Sequence, residues 1–502
     1  MTEPSCGATL WRALCAAAAA EPGRTVIRDG ARVLTARELV TVVGTAALRL
    51  RQVVPPGSRV GVRLAPGTDQ HVAILATLVA SCVYVPLDVS WSVERTAYVC
   101  GDAEVALVLG DGPAGTRSLP FAELGAHRLA VPDATVPDLG AAVARLDTTP
   151  VPPVYVMYTS GTTGAPKGVE TTWPALRNRL AWMQDLYPLR PADVVLSKTS
   201  CGFDVSIWEY LWPRLHGACT AVLDIRADGG WSGLWRVLRE EGVTVCHFVP
   251  SVARAALRDP AAGPVPNLRM IALSGEVLDR DTASALQRLA PAARIVNMYG
   301  PTECAIDVSH WTFDEREQWD PVPIGRGAAG CALTLRPSGE LVISGVQVAG
   351  GYLGAAAGTG GFNPDGTAYA TGDTAVEVEP GIYAVLGRSD RQVKLNGVRV
   401  ELDGLEAAVR AHPGIQDCAA FLDTGDPGSP PRVVLACRPR DPGAVPGTRV
   451  IREFVRATSA MEDVAFRLVP VDRLPLTASG KTDYRALAHD VGEGSHRGQR
   501  VH

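Results

Sequence analysis

The sequence predicts an α/β fold: a large N-terminal region of α/β units with a small β-rich unit, followed by a small α+β C-terminal domain. Three observations lead there. Short β-branched runs alternate with longer alanine- and leucine-rich segments as far as about residue 300, the rhythm of α/β proteins. Between Gly325 and Gly387 the runs shorten and glycines punctuate them, as expected of a mostly antiparallel unit. From Val393 to Leu487 there remains a segment of about 100 residues, an ordinary domain size.

Each element follows from its residues. Leu14 to Ala20 is apolar but short, has Glu3 upstream in place of a basic region, and precedes Glu21-Pro22, so it reads as the first helix and not as a secretion signal. Arg59–Leu64, Val105–Leu109 and Val154–Tyr158 read as strands, with a helix near Gln70–Ala80. The apolar runs Val194–Ser197, Cys219–Leu223, Val243–Val249, Met270–Ser274 and Arg294–Met298 each end in glycine, proline or a polar turn, and predict buried parallel strands. Glu340–Gly345 and Gly381–Leu386 are short strands of the antiparallel unit. The new segment opens at Gly387-Arg388-Ser389-Asp390, dividing the chain into 1–389 and 390–487. Residues 488–502 have little to bury and are expected to be a disordered tail.

Composition removes several function classes. The 502 residues are 46% hydrophobic and 20% charged, an ordinary globular composition. Lys plus Arg (48) against Asp plus Glu (53) gives a net charge of −5, which offers no basic excess for nucleic acid or an anionic membrane. No window reaches 18 uninterrupted apolar residues, so no membrane span is expected. The 11 cysteines show neither a C-x-x-C pair nor metal-ligand spacing with histidine, and read as reduced thiols of a cytoplasmic protein.

The strongest local signal is Thr159-Ser-Gly-Thr-Thr-Gly-Ala-Pro-Lys167-Gly168, placed directly after an apolar strand. Glycines let backbone N–H groups converge on an anion, hydroxyls add donors, and Lys167 neutralises charge. The segment suits phosphate, although its composition alone also fits a flexible turn. It is not a Walker A loop, because Gly168 follows Lys167 where Ser or Thr is required.

Tyr158 to Val169 resembles the phosphate loop of the adenylate-forming enzymes, which include acyl-CoA synthetases, luciferases and nonribosomal peptide synthetase adenylation domains. Further motifs agree in order: Tyr84-Val-Pro-Leu-Asp88, Phe203-Asp-Val-Ser206, Asn297-Met-Tyr-Gly-Pro-Thr-Glu303, Tyr369-Ala-Thr-Gly-Asp373, Gly387 to Gly397, and Leu474-Pro-Leu-Thr-Ala-Ser-Gly-Lys481. Together they cover about residues 10 to 487 and look like the amino-acid-activating branch. The resemblance implies ATP as cosubstrate, held by Thr159, Ser160, Gly161, Thr162, Thr163, Gly164 and Lys167. It places Tyr299 against adenine, Asp373 on both ribose hydroxyls and Arg388 near ribose or phosphate. Thr302, Glu303 and Lys481 would be catalytic, with Glu303 holding Mg²⁺, a hard cation suited to a carboxylate. Asp390 would be the hinge of a mobile C-terminal domain that carries Lys481 to the reacting groups. Taken singly, Asp373 also fits a turn aspartate, Glu303 a helix-start glutamate, Arg388 a surface ion pair and Lys481 a solvated lysine.

Asp204 separates amino-acid from fatty-acid activation, because a buried carboxylate anchors an α-ammonium group. Its other reading is a cap on the following helix. The family's pocket positions fall on Asp204, Val205, Trp208, His247, Ala272, Ser274, Met298, Ile306, Asp307 and Lys481, a pattern resembling that of L-serine-activating domains. His247, Ser274 and Asp307 would meet a substrate hydroxyl, so alanine would leave them unpaired. In isolation the three also fit a core histidine, a strand-end serine and a solvated strand aspartate. Ala272 is smaller than the usual residue there, which keeps α-methylserine or another β-hydroxy amino acid open.

The resemblance thus implies an enzyme that forms seryl-AMP and pyrophosphate, then passes the seryl group to the phosphopantetheine arm of a separate carrier protein. The chain is expected to act as a stand-alone unit, and some members of this branch also take a small MbtH-like partner. The competing readings are an acyl- or aryl-CoA ligase, against which Asp204 argues, and a non-catalytic relative.

Overall fold

A computed structural model covers the chain and describes residues 4–125, 143, 153–159, 165–354, 360–388, 391–395, 398–423, 431–441, 445–458, 464–475 and 482–497. Ser160, Gly161, Thr162, Thr163, Gly164, Asp390 and Lys481 lie outside the described residues. The chain divides into two compact units: Met1–Trp91, Thr96–Tyr158 and Gly168–Ser389 form one, and Ser92–Arg95, Thr159–Lys167 and Asp390–His502 form the other.

Two large sheets organise the first unit. One has nine strands in the order Arg326–Gly327, Ser309–Thr312, Arg294–Tyr299, Met270–Leu273, Val245–Phe248, Val194–Ser197, Cys219–Val222, Thr25–Asp29 and Arg32–Thr35. Its pairings from Arg294–Tyr299 through Thr25–Asp29 are parallel, and the flanking pairings are antiparallel. The other has six strands, with Arg59–Arg63 and Val83–Pro86 at its centre. The observed strands lie within about two residues of the apolar runs because parallel strands are buried on both faces and need continuous hydrophobicity.

Register sets which residues share a face. His247 lies beside Ala272, and Ala272 beside Val296. Side chains alternate across a strand, so Val245, Met270, Ala272, Val296 and Met298 join the cluster containing Trp208 and Trp212. Cys246, Phe248, Ile271, Leu273 and Ile295 pack on the opposite face with Leu234, Trp235 and Leu286. The helix Val205–His216 brings buried Trp208 and Trp212 to the first cluster, and an aromatic side chain so buried contributes about 2–3 kcal/mol.

The small β-rich unit is an antiparallel four-stranded sheet of Cys331–Leu335, Glu340–Gly345, Ala368–Glu379 and Ile382–Arg388. In the second compact unit, the three strands Ile415–Asp423, Arg432–Pro439 and Phe466–Pro470 form a sheet, with helices Leu402–Arg410 and Thr448–Thr458. The expected tail needs correction. A helix spans Tyr484–Arg497, past residue 487, because Leu487 and Val491 fall one turn apart and bury against Ala419, Phe421, Val434 and Ala436. No helix among the described residues is long and apolar enough to cross a membrane, and the eleven cysteines form no disulfide.

Candidate active site

Asp204 stands where the helix Val205–His216 begins, yet its side chain does not cap that helix. Burial pushes its carboxyl up to about 6; the Thr302 hydroxyl opposes the shift, while the charges of Asp307 and Glu303 add to it. The Asp keeps a little accessible surface although protein surrounds it. Val205 follows it, partly buried, and Trp208 lies one turn further on the same face.

The neighbouring wall comes from the parallel strands. His247 Nε2 lies 2.9 Å from Ser274 Oγ, and the Trp208 and His247 rings meet edge-on at 6.2 Å. Burial, helped by the charges of Lys198 and Arg179, holds the imidazole well below its usual pKa, so it is neutral at physiological pH. Ala272, on the strand Met270–Leu273 beside His247, is fully buried.

The third wall depends on a loop that doubles back. After the strand Arg294–Tyr299, Thr302–Cys304 makes a short 3₁₀ turn, and Ala305 and Ile306 adopt left-handed φ values of 54° and 82°. Non-glycine residues seldom hold this conformation, and it marks stored strain. Gly300 makes the fold-back possible, since a Cβ there would sit 2.3 Å from the Ile306 carbonyl oxygen. Buried Gln347 donates through Nε2 to the Asp307 carbonyl at 2.8 Å and helps hold the loop. The result turns Ile306 and Asp307 inward, both buried.

Asp307 has a partner that the sequence reading missed. Arg179 donates to its Oδ2 at 2.5 Å, and the two side chains are 0% and 2% exposed. Arg179 comes from the helix Trp173–Leu186, whose buried stripe includes Leu176, Leu180 and Met183. Its Nη2 also lies 3.7 Å from Met298 Sδ. An arginine within an apolar helical stripe was the available signal. Asp307 is therefore neither solvated nor part of a strand, which corrects one of its alternative readings.

The residues expected to face a nucleotide form a separate group. Asp373 and Arg388 are direct cross-strand partners. Asp373 Oδ1 accepts from Arg388 Nη1 at 2.8 Å, and Oδ2 accepts from Tyr299 Oη at 2.5 Å. Burial, reinforced by Asp373, raises the Tyr299 hydroxyl pKa far above its usual value, so it remains a donor. Glu303 is buried, with Oε1 accepting from Tyr352 Oη at 2.6 Å; Tyr352 is a second residue the sequence reading did not find. Thr159 ends the strand Tyr155–Thr159, and Lys167 opens Lys167–Thr171.

A sequence description named AMP-binding enzyme matches residues 14–353. The chain belongs to that family. As an AMP-binding enzyme it is an ATP-dependent, AMP-forming ligase, and its relatives place it with nonribosomal peptide synthetase adenylation units. It is 36% identical over 497 residues to phosphinothricin tripeptide synthetase PhsB of Streptomyces viridochromogenes, covering 91% of this chain and 40% of that protein. To enterobactin synthase component F of Escherichia coli strain K12 it is 31% identical over 499 residues, covering 94% of this chain and 38% of the other. The AMP-binding enzyme thus spans well under half the length of these two relatives. Among solved structures, PA1221, an NRPS protein containing adenylation and PCP domains, superposes with a TM-score of 0.79 at 25% identity, covering 95% of this chain and 83% of that one.

Proposed function

We propose that this enzyme activates L-serine. A serine carboxylate oxygen attacks the α-phosphorus of ATP, the bond to the β-phosphate oxygen breaks, and pyrophosphate leaves seryl-AMP. A phosphopantetheine thiol of a carrier protein then attacks the seryl carbonyl, forming the thioester and releasing AMP; the thiol proton goes to solvent. PA1221, with its adenylation and PCP domains, supports this second step.

The observation that carries the reading is the carboxylate of Asp204, largely enclosed by protein and within reach of the charge of buried Asp307, together with the buried His247–Ser274 pair. Asp204 takes the α-ammonium by a charge-assisted bond. Val205, Trp208, Met298 and Ile306 enclose the small side chain, and the hydroxyl meets the polar group. Asp373, with a lone pair left on each oxygen after Tyr299 and Arg388, binds the ribose diol. Tyr299 lies under adenine, and Arg388 orients Asp373 and approaches the ribose or phosphate. Thr159, Ser160, Gly161, Thr162, Thr163, Gly164 and Lys167 hold the phosphates.

Thr302 steadies Asp204, and Lys481 offsets charge on the α-phosphate as the transition state forms. Residues 390–487 turn about Asp390 to exchange Lys481 for a thioester-forming face. Glu303 fits Mg²⁺: it is a buried hard donor, and among the described residues no group of three potential protein ligands gathers, so substrate phosphates would complete its coordination. Bound there, the ion would neutralise phosphate charge. An MbtH-like protein is a further proposed partner.

The small side chain of Ala272 favours α-methylserine or another β-hydroxy amino acid as the second reading. ATP–pyrophosphate exchange over L-Ser, D-Ser, α-methylserine, L-Thr, homoserine, L-Ala, diaminopropionate, benzoate and a short fatty acid tests both. A dominant L-Ser signal is expected. A larger β-hydroxy substrate would assign a use to the small side chain of Ala272, and activity only with benzoate or the fatty acid would sink the amine-anchor reading.

A further inference from the structure

Arg179 is a poorly satisfied buried cation. A guanidinium has five N–H donors, but among the described residues the oxygen partner is Asp307 Oδ2, the other contacts are the Met183 and Met298 sulfurs and the Trp182 ring at 5.6 Å, and Nε has no hydrogen-bond partner. Such an ion pair loses much of its Coulomb gain to desolvation and is a weak source of stability. Among the described residues, three further buried polar atoms near it are unpartnered: Asp307 Oδ1, His247 Nδ1 and Trp208 Nε1. The charge of Arg179 reaches His247, whose ring meets Trp208 edge-on, and reaches Tyr155, which also senses Asp204 and Asp307.

We infer that Arg179 sets the charge selectivity of the amino-acid pocket by cancelling Asp307, leaving Asp204 alone to be matched by the substrate's α-ammonium. The inference rests on the proposed amino-acid activation and adds the substrate class: amino acids whose side chains are uncharged and both donate and accept hydrogen bonds. The unpartnered atoms include obligate donors (Arg179 Nε, Trp208 Nε1) and an obligate acceptor (Asp307 Oδ1). An ammonium side chain has no acceptor and meets Arg179; a carboxylate has no donor and meets Asp307. Arg179 is thus a positioning and specificity residue that acts through Asp307.

The test measures amino-acid-dependent pyrophosphate exchange kcat/KM for L-serine, L-2,3-diaminopropionate and L-aspartate in the whole enzyme, with thermal melts as the folding control. Arg179→Met exposes an unpaired carboxylate and should raise the diaminopropionate-to-serine ratio at least about tenfold; Asp307→Asn frees the cation and should raise the aspartate-to-serine ratio by a similar factor. The double variant should return both ratios to within about threefold of wild type, since the opposing charges vanish together. Folded single variants with wild-type ratios, or ratios that move in the same direction, overturn the proposal. If Arg179→Met does not fold, Asp307→Asn and the double variant decide it: no rise in aspartate preference in the former overturns it. Should wild type prefer another neutral amino acid, the serine reading fails, and that amino acid replaces serine in the same ratios.

Discussion

The proposed nucleotide-side cluster and the proposed amino-acid pocket are built differently. At Tyr299, Asp373 and Arg388, each carboxylate oxygen has a protein partner before any ligand is considered, and a cross-strand pairing fixes the geometry. Around Arg179 and Asp307, four buried polar atoms have none among the described residues. The first arrangement is rigid and suits a constant ligand; the second holds unmet hydrogen-bonding capacity, which a matching substrate satisfies and a mismatched one leaves costly. On the proposed assignments, affinity for the nucleotide and choice of the amino acid are expected to respond differently to mutation.

The largest effect is expected from Lys481→Ala. Adenylate formation should fall by about 10²–10³-fold with ATP binding largely kept, measured as exchange rate against nucleotide affinity, and a normal exchange rate would end its catalytic role. Asp204→Ala should lower kcat/KM for serine on the order of 100-fold, the value of a hydrogen bond to a charged group, while leaving KM for ATP near wild type. Equal losses for both substrates would erase the distinction between the two regions.

Asp373→Ala sharpens the comparison from the other side. It should raise KM for ATP by about 10–30-fold through loss of two ribose hydrogen bonds, with the serine-to-alanine preference unchanged. A pH series probes Asp204, whose pKa is raised to about 6. The α-ammonium needs the carboxylate form, so serine KM should be flat above pH 7 and rise by about tenfold at pH 5, one unit below that value; the Asp204→Asn enzyme should lose this rise. For stability the sign is opposite to that of a paired aspartate: ionising a carboxyl with a raised folded pKa opposes folding, and the penalty develops as pH climbs from the unfolded value toward 6. The smallest change is expected for Ser274→Ala, which removes one partner of neutral His247 and should shrink serine-over-alanine discrimination by about 3–10-fold.

Much of this was legible because the information is local. The apolar runs marked the parallel strands, since burial on both faces demands continuous hydrophobicity, and the glycine-punctuated region marked the antiparallel unit. Glu303, Asp373 and Arg388 sit in contiguous motifs with recognisable spacing. The tail was misread because Leu487 and Val491 are a minor apolar signal in isolation and become a docking face only beside Phe421 and Val434.

By itself the sequence determined the α/β order of elements and the family to which the chain belongs, and it supplied the residues proposed for nucleotide and amine binding. Tertiary structure decided which polar groups are already matched. Arg179 and Asp307 are 128 positions apart, and Tyr352 reaches Glu303 across 49. Whether a buried charge is paired depends on the atoms within a few ångströms of it, because electrostatic and hydrogen-bond energies fall steeply with distance. Folding sets those distances, and spacing along the chain does not record them.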